Sequence, residues 1–156
     1  MRYLRTGPMA LLAATLFAAS PTAPARTTAL QSAPTPFARC HGSGRITCVV
    51  DGDTFWYEGA KIRIADINAP ELSHPACAAE AQLAEAATRR IAELLGAGPF
   101  ELTPWPRPVD RYGRLLMVVQ RDGRSIGQTL VAEGLAERWK GYRGNWCQDS
   151  PAPPRI

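Results

Sequence analysis

The sequence predicts an α+β fold, a five-stranded β-barrel with two helices packed against it. Short β-prone runs are separated by turns rich in Gly and Asp, a long amphipathic segment follows the third run, and a shorter capped segment follows the fifth. Five short strands with helices after the third and the fifth are typical of an OB-fold barrel. The chain has 156 residues, 46% of them apolar, which is enough for one such core.

The first three strands are predicted to form an antiparallel meander. β-branched and aromatic residues place them at Gly44 to Val50, Thr54 to Tyr57 and Lys61 to Ile67. The turns between them are Asp51-Gly52-Asp53 and Glu58-Gly59, both built from residues that favour tight turns. A loop that begins at a proline then leads to the first helix.

The first helix is predicted at about Ala76 to Leu95, ending at Gly96. Apolar residues recur at helical spacing and predict the buried stripe: Ala79, Leu83, Ala87, Ile91 and Leu94. The charged residues between them, Glu80 among them, are interpreted as a solvated face without a chemical role.

Two further strands are predicted at Phe100 to Thr103 and Leu115 to Gln120. The segment Pro104 to Pro108 between them contains three prolines, which cannot donate to a central ladder, so we expect it to loop out. A capping box that begins at Ser125 starts a second helix running to about Glu133. The segment after that helix is expected to be extended or irregular.

The chain begins with features of an export signal. Two arginines precede a short apolar run, and a small-x-small pattern ends at residue 25, so residues 1–25 are predicted to be a signal peptide. An uncleaved anchor is the alternative. Residues 26–39 are expected to be a flexible lead-in, 40–147 the folded domain and 148–156 a disordered tail. The mature protein would then be secreted or periplasmic.

Charge alone does not predict a polyanionic partner. Without residues 1–25, the 18 basic and 14 acidic residues become 16 and 14. The chain has four cysteines: Cys40, Cys48, Cys77 and Cys147. An even number of cysteines in an exported chain indicates disulfides, here two, and four cysteines can pair in three ways. We favour pairing the first two and the last two. A zinc site that adds His74 to the first three cysteines is the alternative.

Carboxylates and arginines gather at the predicted strand ends. Asp51 and Asp53 flank the first turn, Arg63 lies on the third strand, and the turn Asp110 to Arg114 presents another arginine. Hard divalent cations bind carboxylate and carbonyl oxygens, and guanidinium groups hold phosphate oxygens through paired hydrogen bonds. This combination suits metal-assisted attack on a phosphodiester.

Three blocks resemble the staphylococcal nuclease family in order and spacing: Asp51 to Thr54, Arg63 to Glu71, and Asp110 to Arg114. The resemblance implies the OB-fold and a calcium-dependent endonuclease that hydrolyses DNA and RNA, single-stranded or locally open, with little sequence preference. It also implies products that end in 3′-phosphates. We expect a monomer with no protein partner. The third, C-terminal helix that family members commonly carry is not expected in this proline-rich end.

The resemblance also implies a ligand set for Ca²⁺. Asp53, Asn68 and the backbone carbonyl of Ala69 would bind the ion, and waters would complete its shell. Asn68 departs from the family pattern, which has a carboxylate at this position. It keeps a ligand oxygen but loses a charge, so we expect weaker calcium binding.

The same resemblance implies the catalytic groups. Arg63 and Arg114 would hold the attacked phosphate, and Glu71 would orient or deprotonate the water. The supporting or substrate-binding residues would be Asp51, Thr54, Asp110, Tyr112 and Tyr142. Two alternatives remain open: a non-catalytic OB-fold module that binds nucleic acid, and a disulfide-stapled envelope protein with a vestigial nuclease site.

Overall fold

A computed structural model describes residues 37–147 of the protein. The predicted signal peptide, most of the lead-in and the predicted tail lie outside the described residues. Within residues 37–147 the elements follow in this order: β1 (Cys48–Asp51), β2 (Thr54–Tyr57), β3 (Ala60–Ile64), β4 (Ile67–Asn68), α1 (Ala78–Gly96), β5 (Glu101–Val109), β6 (Leu115–Arg121), β7 (Arg124–Ser125), α2 (Ile126–Ala132) and β8 (Glu137–Arg138).

The main sheet has the strand order β1-β2-β3-β6-β5, and β7 adds to β6. β3 and β6 run parallel, whereas the other pairs in this sheet are antiparallel. The α+β class with two helices is confirmed. The barrel, however, is not closed, because β1 and β5 end the sheet order and do not pair with each other in the described part of the chain.

The predicted third strand is divided at Asp66. β3 ends at Ile64, and the chain then turns so that β4 pairs with β8 instead of the main sheet. The Asp66 side chain accepts hydrogen bonds from Ser125 Oγ at 2.7 Å and Gln128 Nε2 at 3.0 Å, which ties the turn to the start of α2. Ser125 also caps α2, as its capping box predicts.

The prediction that Pro104 to Pro108 loops out is right only in part, because the segment leaves the ladder after Pro104 without leaving β5. These residues belong to β5, which is an edge strand and therefore tolerates prolines that cannot donate to a neighbour. β5 pairs with β6 at Pro104–Met117 and again at Val109–Leu115. The residues between these two pairs bulge away from the ladder.

The core lies between the sheet and both helices. Its buried apolar residues come from nearly every element: Val49, Phe55, Ile62, Ile64, Ile67, Ile91, Ala92, Leu95, Val119, Ile126, Leu130 and Ala136. Phe37 packs against this cluster, with its ring centroid 6.5 Å from that of Phe55 and 6.0 Å from that of Phe100. Phe37 is therefore packed, in contrast to the flexible lead-in expected there.

Helix α1 buries a different stripe from the one predicted. Ala87 and Ile91 are buried, but Ala79, Leu83 and Leu94 are only half-buried. The buried face consists of Glu80, Ala84, Ala87, Thr88, Ile91, Ala92 and Leu95, because the helix packs on both β1 and α2. No helix follows α2 within residues 37–147, and no helix in this range is long and apolar enough to cross a membrane.

Two disulfides join the four cysteines, in the pairing favoured from the sequence. Cys40–Cys48 closes a short loop at β1, and Cys77–Cys147 joins the start of α1 to the last described residue. The described residues hold no free cysteine, so this structure has no thiol for the alternative zinc site.

We expect the purified mature protein to contain no free thiol. Alkylation without a reductant, followed by mass spectrometry, should leave every cysteine unmodified, and alkylation after reduction should modify all four. Two or more cysteines alkylated in the unreduced protein, or zinc in a stoichiometric amount, would contradict the disulfide assignment.

Candidate active site

The turn between β1 and β2 brings a buried carboxylate, Asp53, into the middle of the site. Asp53 Oδ1 accepts a hydrogen bond from Thr54 Oγ1 at 3.0 Å. Its Oδ2 accepts one from the Ala69 N–H at 3.0 Å and lies 3.0 Å from Arg63 Nη2. Both oxygens are thus oriented by the protein, and Asp53 connects β2, β3 and the segment after β4.

Asp51 lies beside Asp53 at the end of β1. Its Oδ1 accepts a hydrogen bond from the Asp53 N–H at 3.1 Å. Burial, followed by the nearby Asp53 carboxylate, raises the pKa of Asp51 to about 7. The turn therefore holds two closely spaced acidic groups, and burial is the larger cause of the raised pKa of Asp51.

Gly52 allows this turn to lie against the rest of the site. A Cβ at Gly52 would be 2.8 Å from the Cβ of Ala69 and 2.8 Å from the Cβ of Ala87 on α1. Both contacts are shorter than normal van der Waals distances, so the turn packs directly on the helix and on the Ala69 segment.

We expect Gly52→Ala to lower the free energy of unfolding by about 1–3 kcal/mol, the usual cost of overpacking. Urea denaturation measures the change. Gly44→Ala is the matched control, because a Cβ at Gly44 would meet nothing within 4 Å. Equal stability of the two variants would contradict the close packing of this turn.

Asn68 ends β4 and is almost fully buried. Its Nδ2 donates a hydrogen bond at 3.0 Å to Oε1 of Glu137, its register partner on β8. The Glu137 carboxylate therefore lies next to residue 68, the position at which the family pattern has a carboxylate.

Glu71 is held at its backbone by a second buried acid. Glu80 Oε1 accepts the Glu71 N–H at 3.1 Å, and Glu80 Oε2 accepts the Ala76 N–H at 2.6 Å. The interpretation of Glu80 as a solvated charge is therefore wrong, because it is 6% exposed and orders the loop that carries Glu71. The Glu71 carboxylate forms an ion pair with Arg143.

Arg63 lies on β3 and is 7% exposed. Its Nη1 donates to the backbone carbonyls of Ile64 and Ile67, and its Nη2 pairs with Asp53. The guanidinium also lies near the Trp139 ring, 5.9 Å from the centroid. Arg63 thus supports the local backbone while it borders the site.

Arg114 is held in place by the turn that precedes β6. Its Nε donates to Asp110 Oδ2 at 2.7 Å, and its Nη1 lies 3.5 Å from Thr54 Oγ1. Asp110 Oδ1 accepts the N–H groups of Tyr112 and Arg114. Burial would raise the pKa of Asp110, but the hydrogen bonds from Arg114 and Tyr112 outweigh it, so this pKa lies below its usual value.

One cavity of about 660 Å³ brings both predicted phosphate-binding arginines together. Its lining is basic and aromatic: Arg63, Ala65, Trp105, Arg107, Asp110, Arg111, Tyr112, Arg114, Leu116, Trp139 and Arg143. Tyr112 thus faces the cavity, whereas Tyr142 is exposed and does not line it.

The described residues contain no group of three or more His, Cys, Asp or Glu side chains arranged to hold a metal.

A family model described as staphylococcal nuclease homologue matches residues 61–150, more than half of the chain. The chain belongs to this family. The match includes Arg63, Asn68, Glu71 and Arg114, whereas Asp53 precedes it.

Two curated relatives of this staphylococcal nuclease homologue are endonucleases by name. Endonuclease YncB of Bacillus subtilis (strain 168) is 37% identical over 92 residues, which cover 56% of this chain and 43% of the relative. The SPbeta prophage-derived endonuclease YokF of the same organism is 38% identical over 92 residues, which cover 56% of this chain and 31% of the relative. The chain therefore matches less than half the length of each relative.

Sequence reasoning missed four groups at the site of this staphylococcal nuclease homologue: Glu80, Trp105, Glu137 and Arg143. Glu80 occupies the N3 position of α1, three residues after the N-cap Cys77, where a glutamate often bonds back to the preceding backbone. That signal was present in the sequence. Trp105 reaches the site through the bulged edge strand and Glu137 through the β4–β8 pairing, neither of which local sequence reveals. Arg143 lies four residues before Cys147, and the favoured Cys77–Cys147 pairing does not by itself show which side chains of that segment face the site.

Proposed function

We propose that this protein is an exported, calcium-dependent endonuclease that hydrolyses phosphodiester bonds of DNA and RNA with little sequence specificity. One observation carries the proposal: two neighbouring residues, Asp53 and Thr54, connect both arginines of the cavity. Asp53 pairs with Arg63, and the Thr54 hydroxyl bonds both Asp53 and Arg114. A buried acid that pairs with Arg63 and is linked through Thr54 to Arg114, next to a cavity lined by both arginines, suits a phosphodiester near a divalent cation.

The donor set beside the cavity suits a hard cation such as Ca²⁺. Asp51 and Asp53 offer carboxylate oxygens, Asn68 an amide oxygen and Ala69 a backbone carbonyl, with no sulfur or imidazole among them. With only two carboxylates in this set, we expect modest affinity. When bound, the ion would supply Lewis-acid polarisation of the phosphate and a more acidic water.

The arginines would act on the charge that develops at phosphorus. Arg63 and Arg114 border one cavity in fixed orientations, so their guanidinium groups would stabilise negative charge on the phosphate oxygens without reorganising. Glu71 would orient the attacking water or take its proton. Water oxygen would bond to phosphorus as the bond to the 5′-oxygen breaks, leaving a 3′-phosphate and, after protonation, a 5′-hydroxyl.

Export is supported by two features of the chain. Residues 1–25 have the charge and hydropathy pattern of a signal peptide, and two disulfides suit an oxidising compartment. We therefore propose a secreted or periplasmic location.

One observation favours the alternative of a non-catalytic binding module. The Glu71 carboxylate is engaged by Arg143, and a catalytic carboxylate would have to exchange this partner for water. Arg143 is more than half exposed, so its side chain can move without disturbing the core. A cleavage assay separates the two functions.

Purified mature protein should cleave plasmid DNA and RNA with calcium and should not cleave them with EDTA. Glu71→Gln should lower the rate strongly, whereas Glu85→Gln, a matched change on the outer face of α1, should not. Binding without cleavage in calcium would favour the binding module, and cleavage undiminished in EDTA would contradict the calcium dependence.

Glu137 changes what is expected from restoring the family's carboxylate at position 68. Asn68→Asp alone would place two carboxylates in contact, because Glu137 Oε1 is 3.0 Å from Asn68 Nδ2. Asn68→Asp combined with Glu137→Gln keeps one donor and one acid but places the acid at the ligand position, so it should raise calcium affinity over the unmodified protein. Calorimetric titration should show a difference of roughly 5- to 150-fold, or about 1–3 kcal/mol. Equal affinities would remove this pair from the calcium site.

A further inference from the structure

The bulge in β5 borders the candidate site but has no role in the chemistry described above. It lies between the pairs Pro104–Met117 and Val109–Leu115, where the β5 backbone leaves the ladder. Trp105 and Arg107 alternate with prolines in this bulge, and both side chains line the cavity that contains Arg114.

Trp105 does not belong to the aromatic core. That core cluster is formed by Phe37, Phe55, Tyr57 and Phe100, whose rings contact one another. Within residues 37–147, Trp105 makes no such ring contact and lies under no arginine. A half-buried indole on an edge strand thus presents surface to the cavity instead of to the core.

Arg107 differs from the other arginines of the cavity. Three of them pair with carboxylates, and a fourth, Arg111, donates to the Tyr112 hydroxyl. Arg107 is exposed and has no hydrogen bond or ion pair among the described residues. With three of the five arginines paired with carboxylates, Arg107 and Arg111 leave the cavity with a surplus of positive charge, which favours an anion.

The prolines keep this segment in place. Pro104, Pro106 and Pro108 have restricted backbone torsions, so the residues between them have little freedom to lose when a ligand binds. An aromatic face and an unpaired guanidinium, held rigidly on the wall of one cavity, match the two parts of a nucleotide. A base stacks on the ring, and a phosphate binds the arginine.

We propose that Trp105 and Arg107 form a nucleotide subsite beside the phosphate-binding arginines. Trp105 stacks on an unpaired base of the substrate strand, and Arg107 binds a phosphate of that strand away from the scissile bond. The subsite deepens the proposed nuclease function and rests on it. Because a base in a duplex is stacked between its neighbours, this subsite favours single-stranded or locally open substrates.

Binding without cleavage tests the subsite directly. In EDTA, the fluorescence anisotropy of a labelled oligothymidylate should show that Trp105→Ala lowers affinity by roughly 5- to 150-fold, whereas Trp105→Phe retains most of it. Arg107→Ala should reduce the slope of log affinity against log salt by about 0.7, the contribution of one phosphate contact on a single strand.

Trp56→Phe and Arg124→Ala are the matched controls, since neither residue lines the cavity. In calcium, Trp105→Ala should raise the KM for the oligonucleotide and leave kcat nearly unchanged. Affinity unchanged in Trp105→Ala, or no binding by the unmodified protein, would overturn the subsite even if cleavage is observed. Binding that depends on Trp105 without any cleavage in calcium would support the subsite and overturn the nuclease function.

Discussion

Arg114→Lys should lower kcat/KM by roughly 10²–10³-fold while loss of the bond to Asp110 lowers the free energy of unfolding by only about 1 kcal/mol. Lysine keeps the charge but loses the planar fork, which here bonds Asp110 through Nε and reaches Thr54 through Nη1. Loss of one preoriented donor to a developing oxyanion typically costs about this factor in rate. Steady-state cleavage of a fluorogenic oligonucleotide measures the activity, and urea denaturation measures the stability.

Arg89→Lys on the exposed face of α1 is the control and should leave both quantities unchanged. Arg63→Lys is a less selective test, because Arg63 also donates to the carbonyls of Ile64 and Ile67, and its replacement should lower stability as well as activity. Near-normal turnover of Arg114→Lys would remove Arg114 from the proposed mechanism.

Removal of the Cys77–Cys147 disulfide should lower the free energy of unfolding by about 4 kcal/mol, because the bond closes a loop with a sequence separation of 70 residues. The change is best made as Cys77→Ser with Cys147→Ser, since a serine can replace the sulfur that caps α1.

The matched change at Cys40 and Cys48 opens a loop with a separation of only 8 residues, so it should cost less, about 2.5 kcal/mol. Urea denaturation of the two double variants gives both values. If the loss at Cys40–Cys48 equals or exceeds the loss at Cys77–Cys147, loop entropy does not account for the stabilisation.

The local features of the fold could be predicted from the sequence. Turn residues, β-branched runs and the Ser125 capping box gave the approximate positions of the strands and of α2, because these signals depend on neighbours in the chain. Features that depend on partners distant in the chain could not be predicted. The division of the third strand at Asp66 depends on contacts from Ser125 and Gln128, which lie about sixty residues away.

The same distinction applies to the candidate site. Asp53, Arg63, Asn68, Glu71 and Arg114 were selected from motifs, and the structure shows which partners surround them. The pairing of Asn68 with Glu137 requires the register of β4 against β8, two strands of two residues each that no periodic pattern reveals. The position of Trp105 on the cavity wall likewise depends on a bulge in an edge strand. The three prolines of this segment predict a loop, but they do not predict where its side chains lie.

The buried Glu80 carboxylate has a consequence for the conformational entropy of the site. By accepting the N–H groups of Glu71 and Ala76, it joins both ends of the loop to the first turn of α1. The conformational entropy of this loop is therefore lost when the protein folds, and not when a substrate binds. In the proposed nuclease, a substrate would meet a Glu71 backbone that is already ordered, so more of its binding energy would be available for stabilising the transition state.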